Sequence, residues 1–152
     1  MKIKVEWNKP VQLHKAKNSN FIYLLDLDKI PNVAGIYIFA RKFDKYYEAL
    51  YVGKSEHLRN RVNRHLNNLK LMKYMENAKA GKRLIIIGQL KSCSKKNTNK
   101  ALKTLERAFI RNFLVEGHDL ANVHGIKIRR HEIISEGKIK KSFIPALMYL
   151  EK

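Results

Sequence analysis

Hydrophobic positions recur at two periods along the chain, and the switches between them mark the elements. Ile3, Val5 and Trp7 alternate with charged residues and predict a short strand. An apolar stretch from Phe21 to Leu27 leads into Asp28-Lys29-Ile30-Pro31, where the proline marks an entry turn. Strand-like runs follow over residues 35–39 and 50–53, and the polar-aromatic segment 41–48 between them predicts a long hairpin loop. From His57 the period lengthens: Leu58, Val62, Leu66, Leu69 and Met72 recur at steps of three or four, which predicts one helix stopped by Gly81. Leu84-Ile85-Ile86-Ile87 is a continuous apolar run and predicts a central strand; the basic, polar segment 91–100 reads as a loop. A second helix is expected from Thr98 or Asn99 to Gly117, with Leu102, Leu105, Phe109 and Phe113 as its buried stripe. Alternation returns at Ile126-Lys127-Ile128, and a Glu136-Gly137 turn precedes a last strand-like segment, 138–144.

Neither a Pro-, Gly- or Ser-rich linker nor an internal repeat interrupts this order. The expected fold is one α+β domain spanning 1–152, a small antiparallel sheet flanked by helices, with short β extensions at both ends. A hydrophobic content of 45% is enough for a real core and excludes wholesale disorder. Charge then narrows the partner. The 32 Lys+Arg against 13 Asp+Glu leave a formal +19, a field that favours a polyanion, and nucleic acid is the default because phosphate neutralisation releases counterions. A membrane surface is disfavoured: there is no long apolar run, no signal-peptide h-region behind Met1 and no lipidation motif. A basic ribosomal or scaffold protein would carry the same charge. The single cysteine, Cys93, excludes an internal disulfide and multi-cysteine zinc sites, fits a reducing, cytoplasmic setting, and receives no role.

Candidate chemistry clusters in the middle of the chain. A hairpin symmetric about Asp44 would set Tyr37 directly opposite Tyr51 on one sheet face. Tyrosines suit strands and need no function there. Gly53, two residues on, would leave room for a ligand or another backbone, and Lys54 follows at the strand end. Arg61 and His65, four apart on a helix, share a face beside the apolar stripe and could converge on the tyrosines. Arg59, Arg64 and Lys70 read as a solvated basic face. Glu106 abuts the stripe of the later helix, where an acid needs a partner: a salt bridge to a cation, or Mg²⁺, for which one carboxylate suffices. His118, His124 and His131 are scattered without zinc spacing.

Gly35-Ile36-Tyr37, Tyr51-Val52-Gly53-Lys54, Arg61 with His65, Glu106 and Asn122, in this order, resemble the GIY-YIG endonuclease domain over about residues 31–122. The gap between the two tyrosine motifs is longer than is usual in the family, and Lys42 to Glu48 are expected to form an extended hairpin tip. Segments 1–30 and 123–152 then become extensions packed on the core. The resemblance implies metal-dependent hydrolysis of DNA phosphodiesters. It implies Tyr37 as general base, helped by Tyr51 and Lys54, Arg61 as stabiliser of the transition-state charge, and Glu106 as ligand of Mg²⁺ or Mn²⁺. His65 would contact the phosphate or assist proton transfer, and Gly53, Arg59 and Asn122 would serve substrate binding. Nearby cations would have to lower the Tyr37 pKa for that role. A catalytically silent DNA- or RNA-binding module with the same fold is the alternative. The C-terminal lysines and arginines read as a solvated edge or a DNA-contacting ribbon, and a homodimer would be the simplest way to cut both strands.

Overall fold

The chain opens with four short strands, β1 (Lys4–Trp7), β2 (Val11–Gln12), β3 (His14–Lys15) and β4 (Tyr23–Leu24). Three longer strands follow, β5 (Gly35–Phe43), β6 (Tyr46–Ser55) and β7 (Lys82–Lys91), with helices α1 (Leu58–Leu66) and α2 (Leu69–Asn77) between the last two. Helix α3 (Lys95–Val115) and the strands β8 (Arg130–Ile134) and β9 (Leu147–Glu151) complete it. This computed structural model describes all residues except 18, 19, 92, 93, 124, 125, 127 and 139, so Cys93, His124 and Lys127 lie outside the described residues.

The main sheet is antiparallel, in the order β1-β7-β5-β6, with β2 also paired to β7. The α+β fold expected from the pattern is therefore present, and the run at Leu84–Ile87 lies in a central strand as predicted. Both faces of β5 are covered. Tyr37 and Phe39 turn toward α1 and α2, packing on Leu58, Val62, Met72 and Met75. Ile36, Ile38 and Ala40 turn toward α3, packing with Val52, Leu105 and Leu114. Each such fully buried large side chain contributes about 1.5–3 kcal/mol of transfer free energy. Trp7 of β1 meets Phe109 of α3 edge-on, with centroids 5.3 Å apart. Among the described residues no helix is long and apolar enough to cross a membrane.

Several elements differ from the pattern-based expectation. The single helix from His57 is two, because Asn68 interrupts it: its side chain accepts from the Leu71 N–H at 3.1 Å and starts α2 afresh. Leu69 is consequently exposed, and the buried stripe of α2 is Leu71, Met72 and Met75. Gly81 does not stop that helix, which ends at Asn77; it sits with φ +142° in the turn into β7, where a Cβ would lie 2.7 Å from the Lys42 carbonyl. The second helix begins earlier, at Lys95. Residues 41–48 are not a loop, since β5 and β6 continue to a two-residue turn, Asp44-Lys45, with Asp44 at φ 54°. The directly paired Arg41 and Glu48 support this extension through a 2.6 Å ion pair. Residues 126 and 128 form no strand, and segment 138–144 contains a turn in which the Phe143 and Ile144 amides donate to the Lys140 carbonyl. The partner of β8 is instead the apolar β9.

One buried arginine does what no motif announced. Arg83, 8% exposed, donates to the carbonyls of Met75, Glu76, Ala78, Lys79 and Gly81, at 2.7 to 3.5 Å, and so gathers the carbonyls of the last turn of α2 and of the turn that follows it. Sequence pattern cannot show this, because the carbonyls gather only when the turn after α2 folds over β7. Arg83→Met should leave them unpaired and cost roughly 3 kcal/mol in urea unfolding. Arg83→Lys should recover only part of that, since an ammonium cannot span the fork.

Candidate active site

The register of β5 against β6 sets the site. Tyr37 pairs with Gly53, and Tyr51 pairs with Phe39, so the two tyrosines are diagonal neighbours on one face rather than directly opposite. The reason is local. The turn is centred between Asp44 and Lys45, which shifts the pairing by one residue, and a bulge at Leu50, where the register changes between Phe39 and Ala40, shifts it by one more. The rings still stack, with centroids 6.2 Å apart and planes 18° from parallel.

Gly53 makes room, but for Tyr37 itself. A Cβ there would lie 2.3 Å from the Tyr37 hydroxyl and 2.4 Å from Cζ, so the phenol occupies the space that a ligand was expected to enter. Tyr37 is 1% exposed, and its hydroxyl stands 2.5 Å from Nε2 of His65, itself 6% exposed on α1. His65 is also ringed by Phe39 and Tyr51, at centroid distances of 5.8 and 5.1 Å. Such burial leaves it unable to reach a phosphate, so of its two expected roles only the proton-handling one remains open.

Protonation follows from the same burial. Desolvation, with Tyr51 adding in the same sense, pushes Tyr37 well above the usual phenol value, although Arg61 beside it acts in the opposite direction. The expected lowering of Tyr37 by nearby cations is therefore overturned: in the apolar layer desolvation wins. His65 is held down to about 4 by burial and by the Arg61 charge, and is neutral near pH 7.

The charged residues approach from both sides of the sheet. Lys54 shares the parity of Val52 and so faces α3, where its Nζ lies 3.0 Å from the Glu106 carboxylate. Glu106 is not deeply buried, its side chain being 25% exposed, and its partner is this lysine. Arg61 projects from α1 on the tyrosine side, and it lines a single pocket together with Lys54 at the end of β6. Arg59 lies outside that pocket; its Nε donates to the Ile30 carbonyl at 2.8 Å and ties α1 to the chain entering β5. Asn122 stands in a short 3-10 turn, Ala121–Val123, and its amide donates to the Val52 carbonyl at 2.9 Å. Nearby, the Ala49 N–H donates to Nδ1 of His118, whose pKa burial lowers. Asn122 and His118 thus cap the edge strand. Pattern reading missed Arg64, which also lines the Arg61 pocket, although its spacing of three from Arg61 was a usable signal.

The donors suit a hard cation and not a zinc-type ion. Among the described residues no group of three or more His, Cys, Asp or Glu side chains could hold a metal, whereas Glu106, partly exposed beside the pocket, fits a Mg²⁺-like site with one protein carboxylate.

Comparison with known proteins places the chain in one family. The family model described as the GIY-YIG catalytic domain matches residues 33–117, more than half of the 152-residue chain. No curated protein and no solved structure gives a match.

Two outcomes are expected from this packing. Gly53→Ala should force the Tyr37 ring away, cost about 1–3 kcal/mol in denaturant unfolding, and return the His65 imidazole toward the ordinary range in an NMR titration. Because the folded-state pKa of His65 lies below its unfolded value of 6.5, its contribution is complete above pH 6.5 and is lost as pH falls toward 4. Wild type should lose roughly 3 kcal/mol from this group across that window, and His65→Gln should flatten the curve of urea midpoint against pH there.

Proposed function

The chain belongs to the GIY-YIG catalytic-domain family, and from that premise we propose that it is an endonuclease hydrolysing DNA phosphodiester bonds with the help of Mg²⁺ or Mn²⁺. The proposed nuclease core spans 31–122, with 1–30 and 123–152 as extensions. The observation that carries this reading is the Tyr37 hydroxyl, held 2.5 Å from a buried, neutral imidazole with the Arg61 guanidinium beside it.

That arrangement supports a base that never needs to exist as free phenolate. With the His65 proton on Nδ1, its Nε2 can accept the Tyr37 proton as the phenol oxygen takes one from the attacking water, so no free phenolate is needed; the step requires the buried Tyr37 hydroxyl to open to water and works against the burial and Arg61 charge that lower His65. Arg61 is a fixed cation, raised further by its contact with Tyr37, and would neutralise charge building on the phosphate. Glu106 would hold the metal through one carboxylate, and the ion, when bound, supplies Lewis-acid stabilisation of the phosphate and the leaving oxygen. Lys54, now engaged by Glu106, would turn to a substrate phosphate oxygen once that carboxylate is otherwise occupied. Tyr51 keeps the Tyr37 ring in place by stacking. Gly53, Arg59 and Asn122 act by holding the scaffold rather than by touching substrate.

Incubation with supercoiled plasmid and Mg²⁺ should nick the DNA, and chelator should stop it. Glu106→Ala and Tyr37→Phe should each lower kcat by about 100-fold or more while salt-sensitive binding persists. If wild type failed to cut plasmid, branched, flapped and single-stranded substrates with either metal, the silent binding module would replace the nuclease.

A further inference from the structure

Helix α1 carries more than Arg61. His57, Asn60, Arg61 and Arg64 fall at i, i+3, i+4 and i+7, so four polar heads stack along one face. All four line the pocket that Lys54 enters, a cavity of about 330 Å³ whose acid is the exposed Glu56. Arg61 and Arg64 therefore outweigh the acid even with Lys54 matched by Glu106. The cavity is large enough for a phosphodiester and part of its nucleoside.

Most arginines elsewhere are held by the fold: Arg41 is engaged by Glu48, Arg59 by a carbonyl, Arg83 by several carbonyls, and Arg111 and Arg130 by Glu151, while Arg107 and Arg129, which have no such side-chain partner among the described residues, do not line this pocket. The exposed Arg64 guanidinium has no ion pair or hydrogen bond among the described residues, although it shares its pocket with the catalytic arginine. Two amides at the start of α1 are already engaged, the Leu58 N–H by the Val33 carbonyl at 3.1 Å and the Asn60 N–H by the Asn32 side chain at 3.3 Å, so the pocket's side chains carry most of the capacity to receive an anion.

We propose that Arg64, supported by Asn60 and His57, binds the phosphate adjacent to the scissile one, so that the strand being cut lies along this face of α1. The inference rests on the nuclease reading above. Arg61 and Arg64 are three residues apart, a rise of about 4.5 Å along α1, and their long side chains can reach successive phosphates of one strand. A contact one phosphate from the chemistry is made equally in ground and transition states, so it governs binding and not the chemical step.

The test uses the full chain with an oligonucleotide that wild type binds. Arg64→Ala should raise KM about tenfold, with the loss falling on KM and not on kcat, and should reduce the slope of log K against log salt by about 0.7–0.9. Arg64→Lys should restore the slope, and the unfolding midpoint should not move. An unchanged KM and salt slope in Arg64→Ala would overturn the proposal, as would a fall in kcat that accounts for the whole loss. Should wild type bind DNA without cutting it, the nuclease reading fails on its own; the salt slope then still decides for or against Arg64. Absence of any salt-dependent binding by wild type would overturn both.

Discussion

A phenol lodged over a glycine is the contact on which the rest of the site depends. Tyr37 can lie flat against β6 only because position 53 has no side chain, and it faces position 53 only because of the hairpin register. A buried hydroxyl costs free energy unless it finds a partner. His65 is that partner, so the helix that brings it is fixed relative to the sheet by the same demand. Tyr51 and Phe39 then close around the imidazole, and their apolar surroundings keep it neutral. Register, packing and protonation are one linked arrangement.

The charged groups obey a different constraint. Adjacent residues of a strand point to opposite faces, so Gly53 serves the tyrosine layer while Lys54 serves the α3 layer. They can act at one place because β6 is the edge strand and its end is where α1 begins and α3 passes. An open edge invites pairing with other chains. Here Asn122 and His118 occupy part of it, leaving the last residues of the strand to the pocket.

A charge of +19 suggests a uniformly basic surface, yet part of it is scaffold. Arg83 and Arg41 are nearly buried and hold a helix end and a hairpin together. Arg111 and Arg130 fasten the C-terminal hairpin through Glu151, whose pKa the Arg111 contact lowers. The cations that line the pocket, Arg61 beside the Tyr37 hydroxyl and Arg64 with no ion pair among the described residues, are the ones placed to meet a polyanion there.

Local periodicity was sufficient for the strands around Tyr37 and Tyr51, for the pairing of Arg61 with His65 along a helix turn, and for a carboxylate at Glu106 that needed a partner. These depend on neighbours a few residues away. The two tyrosine rings share a face only because the turn centre and the Leu50 bulge each shift the register by one residue. Where the pattern misled, a single residue or a distant contact had intervened: Asn68 split a helix whose apolar spacing ran on, and Leu50 bulged a hairpin that looked symmetric. The identity of the Tyr37 partner, the tenant of the Gly53 gap, the Lys54–Glu106 pair, the carbonyl cluster on Arg83 and the protonation of the tyrosine–histidine couple were decided by tertiary structure alone. Register and desolvation arise from contacts between segments far apart in sequence, and no local period carries them.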